Sequence, residues 1–116
     1  MVKLESLKKS NQFRKVLKEK KVHTDYFSIF AAKNLFKAKQ KANLLISFVM
    51  KKKIGNAVKR NKIRRKLKAI VQKILKKRGA ISKDYTYIVF GKSNAYAQKH
   101  GVLLPLMEKS FSKLKK

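Results

Sequence analysis

Apolar residues recur along this chain in two periods, and the change of period marks out its elements. Phe13, Val16 and Leu17 stand at helical spacing behind Ser10, a residue suited to cap a helix N-terminus. They predict a short helix ending in the lysine-rich run near Lys20. Residues 25–33, DYFSIFAAK, alternate instead: Tyr26, Ser28, Phe30 and Ala32 point one way, Phe27, Ile29 and Ala31 the other. That alternation predicts a strand. Polar and basic residues 34–43 predict a hairpin loop. Residues 44–50, LLISFVM, predict a second strand, apolar on both faces and so central in its sheet. Residues 51–54 either continue that strand or form a short further one.

Gly55 breaks the pattern, and a helix is predicted over residues 56–77. Ile63, Leu67, Ile70, Val71 and Ile74 form its apolar stripe, while Lys59, Arg60, Lys62, Arg64, Arg65, Lys66 and Lys68 occupy the remaining surface. Gly79 is placed to stop it. Residues 85–91, YTYIVFG, predict another strand. From about Leu103, the inward positions Leu103, Leu106, Met107, Ser110, Phe111 and Leu114 predict a last amphipathic helix, with Pro105 in its first turn. The order is helix, two or three strands, helix, strand, helix. It describes an α/β sandwich with helices packed on one sheet. The chain shows no internal repeat and no linker rich in proline or glycine, so its 116 residues are read as a single domain.

Charge changes the picture. Lys and Arg number 33 against 5 Asp and Glu, a formal net charge of +28. Self-repulsion on that scale opposes a compact state, and a polyanionic partner relieves it. Yet 44% of the residues are hydrophobic, too many for a disordered basic tail. The absence of cysteine excludes disulfides and thiolate metal sites, and His23 and His100 have no ligand-like spacing. No apolar run is long enough to span a bilayer, and the N-terminus lacks a signal-peptide pattern, so a soluble cytoplasmic protein with no membrane partner is expected.

The chemistry concentrates in KKKIGNAVKRNKIRRKLK, residues 51–68. Arg60, Asn61, Arg64, Arg65 and Lys68 fall on one helical ridge. Arginine forks suit phosphate oxygens, and asparagine suits a base edge or a 2′-hydroxyl. Four of the five arginines, Arg60, Arg64, Arg65 and Arg78, fall in or just past this helix. Gly55 permits a tight turn at the helix start, whose N–H groups suit a further phosphate. Neither GxxxxGK[ST] nor GxGxxG is present, which speaks against a nucleotide-binding loop. Tyr26, Phe27, Phe30 and Phe13 offer either a stacking surface for single-stranded nucleic acid or ordinary core. Glu5, Glu19, Asp25, Asp84 and Glu108 are scattered, with no local pair suited to general acid/base or two-metal work.

Residues 52–58, KKIGNAV, followed by Arg60-Asn61-Lys62-Ile63-Arg64-Arg65, closely resemble the signature of the bacterial ribonuclease P protein subunit, the RNR motif. Phe13 to Lys18 fits that family's first helix, Asp25-Tyr26-Phe27 its first strand, and Asp84-Tyr85 with Ile88-Val89 its last. The resemblance implies an α+β sandwich of order αβββαβα, with a four-stranded sheet and a left-handed βαβ crossover around the motif helix. It implies a large catalytic RNA as partner, precursor transfer RNA as substrate, and magnesium-dependent removal of the 5′ leader, with the ions held mainly by the RNA. The protein would have no catalytic residue, no metal site and no required protein partner. Lys52, Lys53, Asn56, Lys59, Arg60, Asn61, Lys62, Arg64, Arg65 and Lys68 would bind RNA, with Gly55 and Ala57 setting the turn and close packing. Phe13, Leu17, Ser28 and Phe30 would bind the leader, Leu17 standing where the family often has a second aromatic. A small ribosomal protein, a DNA-compacting protein and a self-contained nuclease are the competing readings. The spaced motif speaks against the first and the scattered acids against the last, while the second predicts a preference for duplex DNA and no stimulation of transfer RNA processing.

Overall fold

Five strands form one sheet in the order β1-β4-β5-β3-β2. The computed structural model describes residues 4–7, 10–33, 44–77, 81–82 and 84–114. The strands are β1 (Leu4–Glu5), β2 (Lys20–His23), β3 (Phe27–Lys33), β4 (Leu44–Val49) and β5 (Tyr85–Gly91). The helices are α1 (Ser10–Leu17), α2 (Ala57–Leu75) and α3 (His100–Leu114). β4 runs parallel to β1 and β5, so α2 is the crossover of a parallel βαβ unit. β5 pairs antiparallel with β3, and β3 with β2.

The alternation in β3 sorts its side chains as the sequence predicts. Phe27, Ile29 and Ala31 join the larger core cluster, with Ile46, Tyr87, Val89, the apolar stripe of α2, and Leu103, Met107, Phe111 and Leu114 of α3. Ala32 joins the other face, where Leu7, Leu45 and Ile88 are buried with Val16 of α1. The molecule is thus three layers: α2 and α3, the sheet, then α1. A helix of 8 residues spans only about 12 Å, so α1 covers part of its face and leaves the rest open.

Several expectations are corrected. The sheet has five strands rather than four, because the short β1 and the lysine-rich β2 both pair into it. The strands predicted at 25–33 and 44–50 are not neighbours, since β5 lies between them. Residues 34–43, expected as a hairpin loop, lie outside the described residues. The observed hairpin joins β2 to β3, where the Thr24 hydroxyl accepts from the amides of Tyr26 and Phe27. Tyr26 therefore belongs to a turn and packs on the larger core, away from Ser28 and Phe30. Residues 52–54 form a 3-10 turn rather than a strand. α3 begins at His100, which places Pro105 beyond the first turn. The carbonyl that Pro105 leaves unbonded belongs to the exposed Gly101. α2 ends at Leu75, before the expected stop; Arg78 and Gly79 lie outside the described residues. No described helix is long and apolar enough to cross a membrane.

Candidate nucleic-acid interface

Two glycines set the motif helix in place. Gly55 adopts φ +154° and ψ −162°, a region essentially reserved to glycine, and a Cβ there would stand 2.9 Å from Lys59 Cδ. Asn56 then caps α2, its Oδ1 accepting from the Lys59 amide at 2.9 Å. Gly91, at the end of β5, lets α2 approach the sheet: a Cβ there would collide with Met50 and stand 2.9 Å from Ile63 Cγ2. Ala57 is exposed, so it contributes no close packing.

The polar side chains of α2 divide about the buried stripe. By helical rotation, Arg60 and Arg64 flank it on one side, Asn61, Arg65 and Lys68 face outward, and Lys59, Lys62 and Lys66 fall on the opposite flank. On the first side Arg64 Nη1 donates to Asn61 Oδ1 at 2.8 Å, while Arg65 and Lys68 are exposed. Arg60 is half-buried, and its Nε is buried with no hydrogen-bond partner. The ridge drawn from the sequence thus holds for Arg60, Asn61, Arg64, Arg65 and Lys68. Val58, 74% exposed, leaves an apolar side chain at its foot.

The other flank is engaged within the protein. Lys59 Nζ donates to Ser93 Oγ at 2.9 Å, and the ammonium groups of Lys59 and Lys62 lie 5.3 and 4.7 Å from the Tyr96 ring centre. Lys66, expected on the free surface, turns inward and bonds three backbone carbonyls: Ala95 at 3.1 Å, Tyr96 at 2.7 Å and Gln98 at 2.9 Å. Desolvation, helped by the Lys62 charge, lowers its pKa below the ordinary lysine value.

The open part of the α1 face is a cleft of about 610 Å³. Its lining includes Leu17, Ser28 and Phe30, together with Lys53 and Ile54 of the 3-10 turn. Lys52 is exposed beside them. Phe13 joins the apolar cluster behind the cleft without lining it. Sequence reasoning missed His23, Lys51, Phe90, Lys92 and Ser93, which also line it. Register explains the gathering, because Ser28 is paired with His23 on one side and Phe90 on the other. His23 Nδ1 and Ser28 Oγ are hydrogen bonded at 2.7 Å. Phe30 meets both His23 and Phe90 edge-to-face, at centroid distances of 5.8 and 5.5 Å, and Lys51 Nζ sits 5.7 Å from the Phe90 ring centre. An apolar aromatic floor rimmed by ammonium groups suits a base with its phosphate. Among the described residues, no group of three or more His, Cys, Asp or Glu side chains converges.

A basic α+β module with an arginine-bearing crossover helix beside an aromatic cleft is the class this geometry defines. The chain belongs to the ribonuclease P protein family, whose model, described as Ribonuclease P, matches residues 1–115. It is 28% identical over 110 residues to the ribonuclease P protein component of Mycoplasma capricolum, covering 94% of each chain. Its fold is similar to that of the Staphylococcus aureus RNase P protein, with a TM-score of 0.73 at 23% identity, covering 95% of this chain and 94% of that one. The Thermotoga maritima RNase P protein is similar at a TM-score of 0.73 and 21% identity, covering 94% and 96%.

Proposed function

We propose that this chain is the protein subunit of a ribonucleoprotein ribonuclease P, which removes the 5′ leader from precursor transfer RNA in the cytoplasm. The observation that carries the reading is an aromatic cleft with a lysine rim, next to the arginine ridge of the motif helix, in a chain of this family. The ridge and the 3-10 turn bind the catalytic RNA, and the cleft takes the single-stranded leader. Phosphates close to Arg60, Arg64, Arg65 and Lys68 neutralise like charges that otherwise repel along the helix. His23, Ser28, Phe30 and Phe90 hold a leader base, while Lys51, Lys53 and Lys92 reach its phosphates. The RNA performs hydrolysis with magnesium ions that it holds. The left-handed sense of the α2 crossover belongs to the same reading.

The test is cleavage of precursor transfer RNA at low magnesium by catalytic RNA alone, by this protein alone, and by both. Strong stimulation of the RNA by an inactive protein is the expected result. Cleavage by the protein alone would establish a protein nuclease. Intact RNA binding without stimulation would leave a structural RNA-binding protein.

A further inference from the structure

Residues 92–99 connect β5 to α3 and form a strap between the two surfaces just described. At the hairpin side, the Lys92 amide donates to the Tyr26 carbonyl at 3.0 Å and Lys92 Nζ to the Thr24 carbonyl at 2.6 Å. Asn94 Nδ2 donates to the Asp25 carbonyl at 3.2 Å, and Gln98 Nε2 to the Tyr26 hydroxyl at 2.9 Å. At the α2 side, Ala95 is fully buried and Tyr96 lies beneath Lys59 and Lys62. The strap's first residues, Lys92 and Ser93, are cleft wall.

One side chain gathers the far end of this strap. The carbonyls of Ala95, Tyr96 and Gln98 converge on Lys66 Nζ within 3.1 Å. An ammonium has three N–H donors, and here there are three acceptors for them, so none is left for a nucleic acid. Lys66 follows the arginine pair directly in sequence, yet it faces the opposite flank of the helix.

We infer that Lys66 is a positioning residue of the cleft: by holding the strap to α2, it fixes the wall at Lys92 and Ser93 relative to the arginine ridge. The inference rests on the reading of the cleft as the leader site. A substrate engaging the cleft while the catalytic RNA engages the ridge senses the spacing between them, and Lys66 sets that spacing without touching either.

The test compares the wild type with Lys66→Met, which keeps an unbranched stem and removes every donor, and Lys66→Arg, which keeps a charged donor group. Three quantities are read: affinity for the catalytic RNA, the affinity ratio of the assembled enzyme for precursor over mature transfer RNA, and hydrogen exchange of the strap amides in the free protein. For Lys66→Met the expected result is catalytic-RNA affinity within roughly threefold of wild type, a precursor-to-mature ratio lowered roughly tenfold, and faster exchange confined to the strap. Lys66→Arg restores a substantial part of the ratio. Unchanged strap exchange in Lys66→Met overturns the inference, as does a loss shared equally by catalytic RNA, precursor and mature transfer RNA with exchange raised throughout the sheet. If the wild type itself does not prefer the precursor, the leader reading fails. Strap exchange then still decides the holding role: local deprotection supports it, and none overturns it.

Discussion

Gly55 and Phe30 show how differently single residues serve the same surface. Gly55 acts through its backbone: φ +154° is costly for any residue with a Cβ, and Lys59 Cδ occupies the space a Cβ needs. Gly55→Ala is therefore expected to destabilise the protein by about 1–3 kcal/mol, read from denaturant midpoints at constant m-value. An unchanged midpoint would show that the turn relaxes without strain. Phe30 acts through its ring. It is half-buried between His23 and Phe90, while its strand neighbour Ile29 is fully buried on the opposite face. Phe30→Ala removes the centre of the aromatic floor and is expected to weaken binding of leader-bearing precursor by about 1–3 kcal/mol, the range of one base stack, with little effect on mature transfer RNA. Equal losses for the two substrates would make Phe30 ordinary core. The parity that separates Phe27 from Phe30 is legible in the sequence. The partners of Phe30 are not, because His23 and Phe90 reach it only through the register of three strands.

α2 was the most legible element, and the reasons are local. Its apolar stripe, Ile63 to Ile74, keeps one period over about three turns, and Gly55 and Asn56 mark the helix start. β1 and β2 were not legible. β1 has two residues, and β2 reads Lys-Lys-Val-His with a single apolar side chain, so their pairing comes from β4 and β3 rather than from their own pattern. The order of the sheet was equally hidden, since a parallel crossover brings β5 between segments that look like a hairpin. Of the four residues expected to bind the leader, Leu17, Ser28 and Phe30 gather in the cleft and Phe13 stands behind it. The division of α2 into a ridge and an engaged flank yields a contrast. Arg65 is exposed on the ridge, whereas Lys62 lies against Tyr96. Arg65→Ala is expected to weaken assembly with the catalytic RNA and to lower the slope of log affinity against log salt by about one phosphate's worth. Lys62→Ala is expected to change that slope less. Titrations at several salt concentrations decide between them, and equal slopes would erase the distinction between the flanks.

Across the whole molecule, a charge of +28 and a buried aromatic core pull stability in opposite directions as pH rises. Lys66 has a lowered pKa in the folded protein, so in the window between that value and the ordinary lysine value the unfolded chain binds more protons. Stability therefore rises with pH through that window. Tyr87 has the opposite sign. Its ring is fully buried against Phe111, and burial holds its hydroxyl's pKa well above the ordinary tyrosine value of 10.0. Above that value the unfolded chain releases the Tyr87 proton first, so its contribution, fully present below pH 10, is lost as pH climbs toward the folded value. The free protein is expected to gain stability on approaching pH 10 and to lose it beyond. Tyr87→Phe keeps the ring and removes the titrating group together with the 3.3 Å bond to the Ser82 carbonyl. It should lower stability near neutrality by about 1 kcal/mol at most and flatten the alkaline fall. Urea unfolding between pH 8 and pH 11.5 or so, followed by a backbone signal, measures both effects. An alkaline fall as steep in Tyr87→Phe as in the wild type would assign it to the chain as a whole rather than to Tyr87. A flattened fall would place the alkaline limit of this basic protein at one buried hydroxyl beneath the sheet, on the layer opposite the cleft.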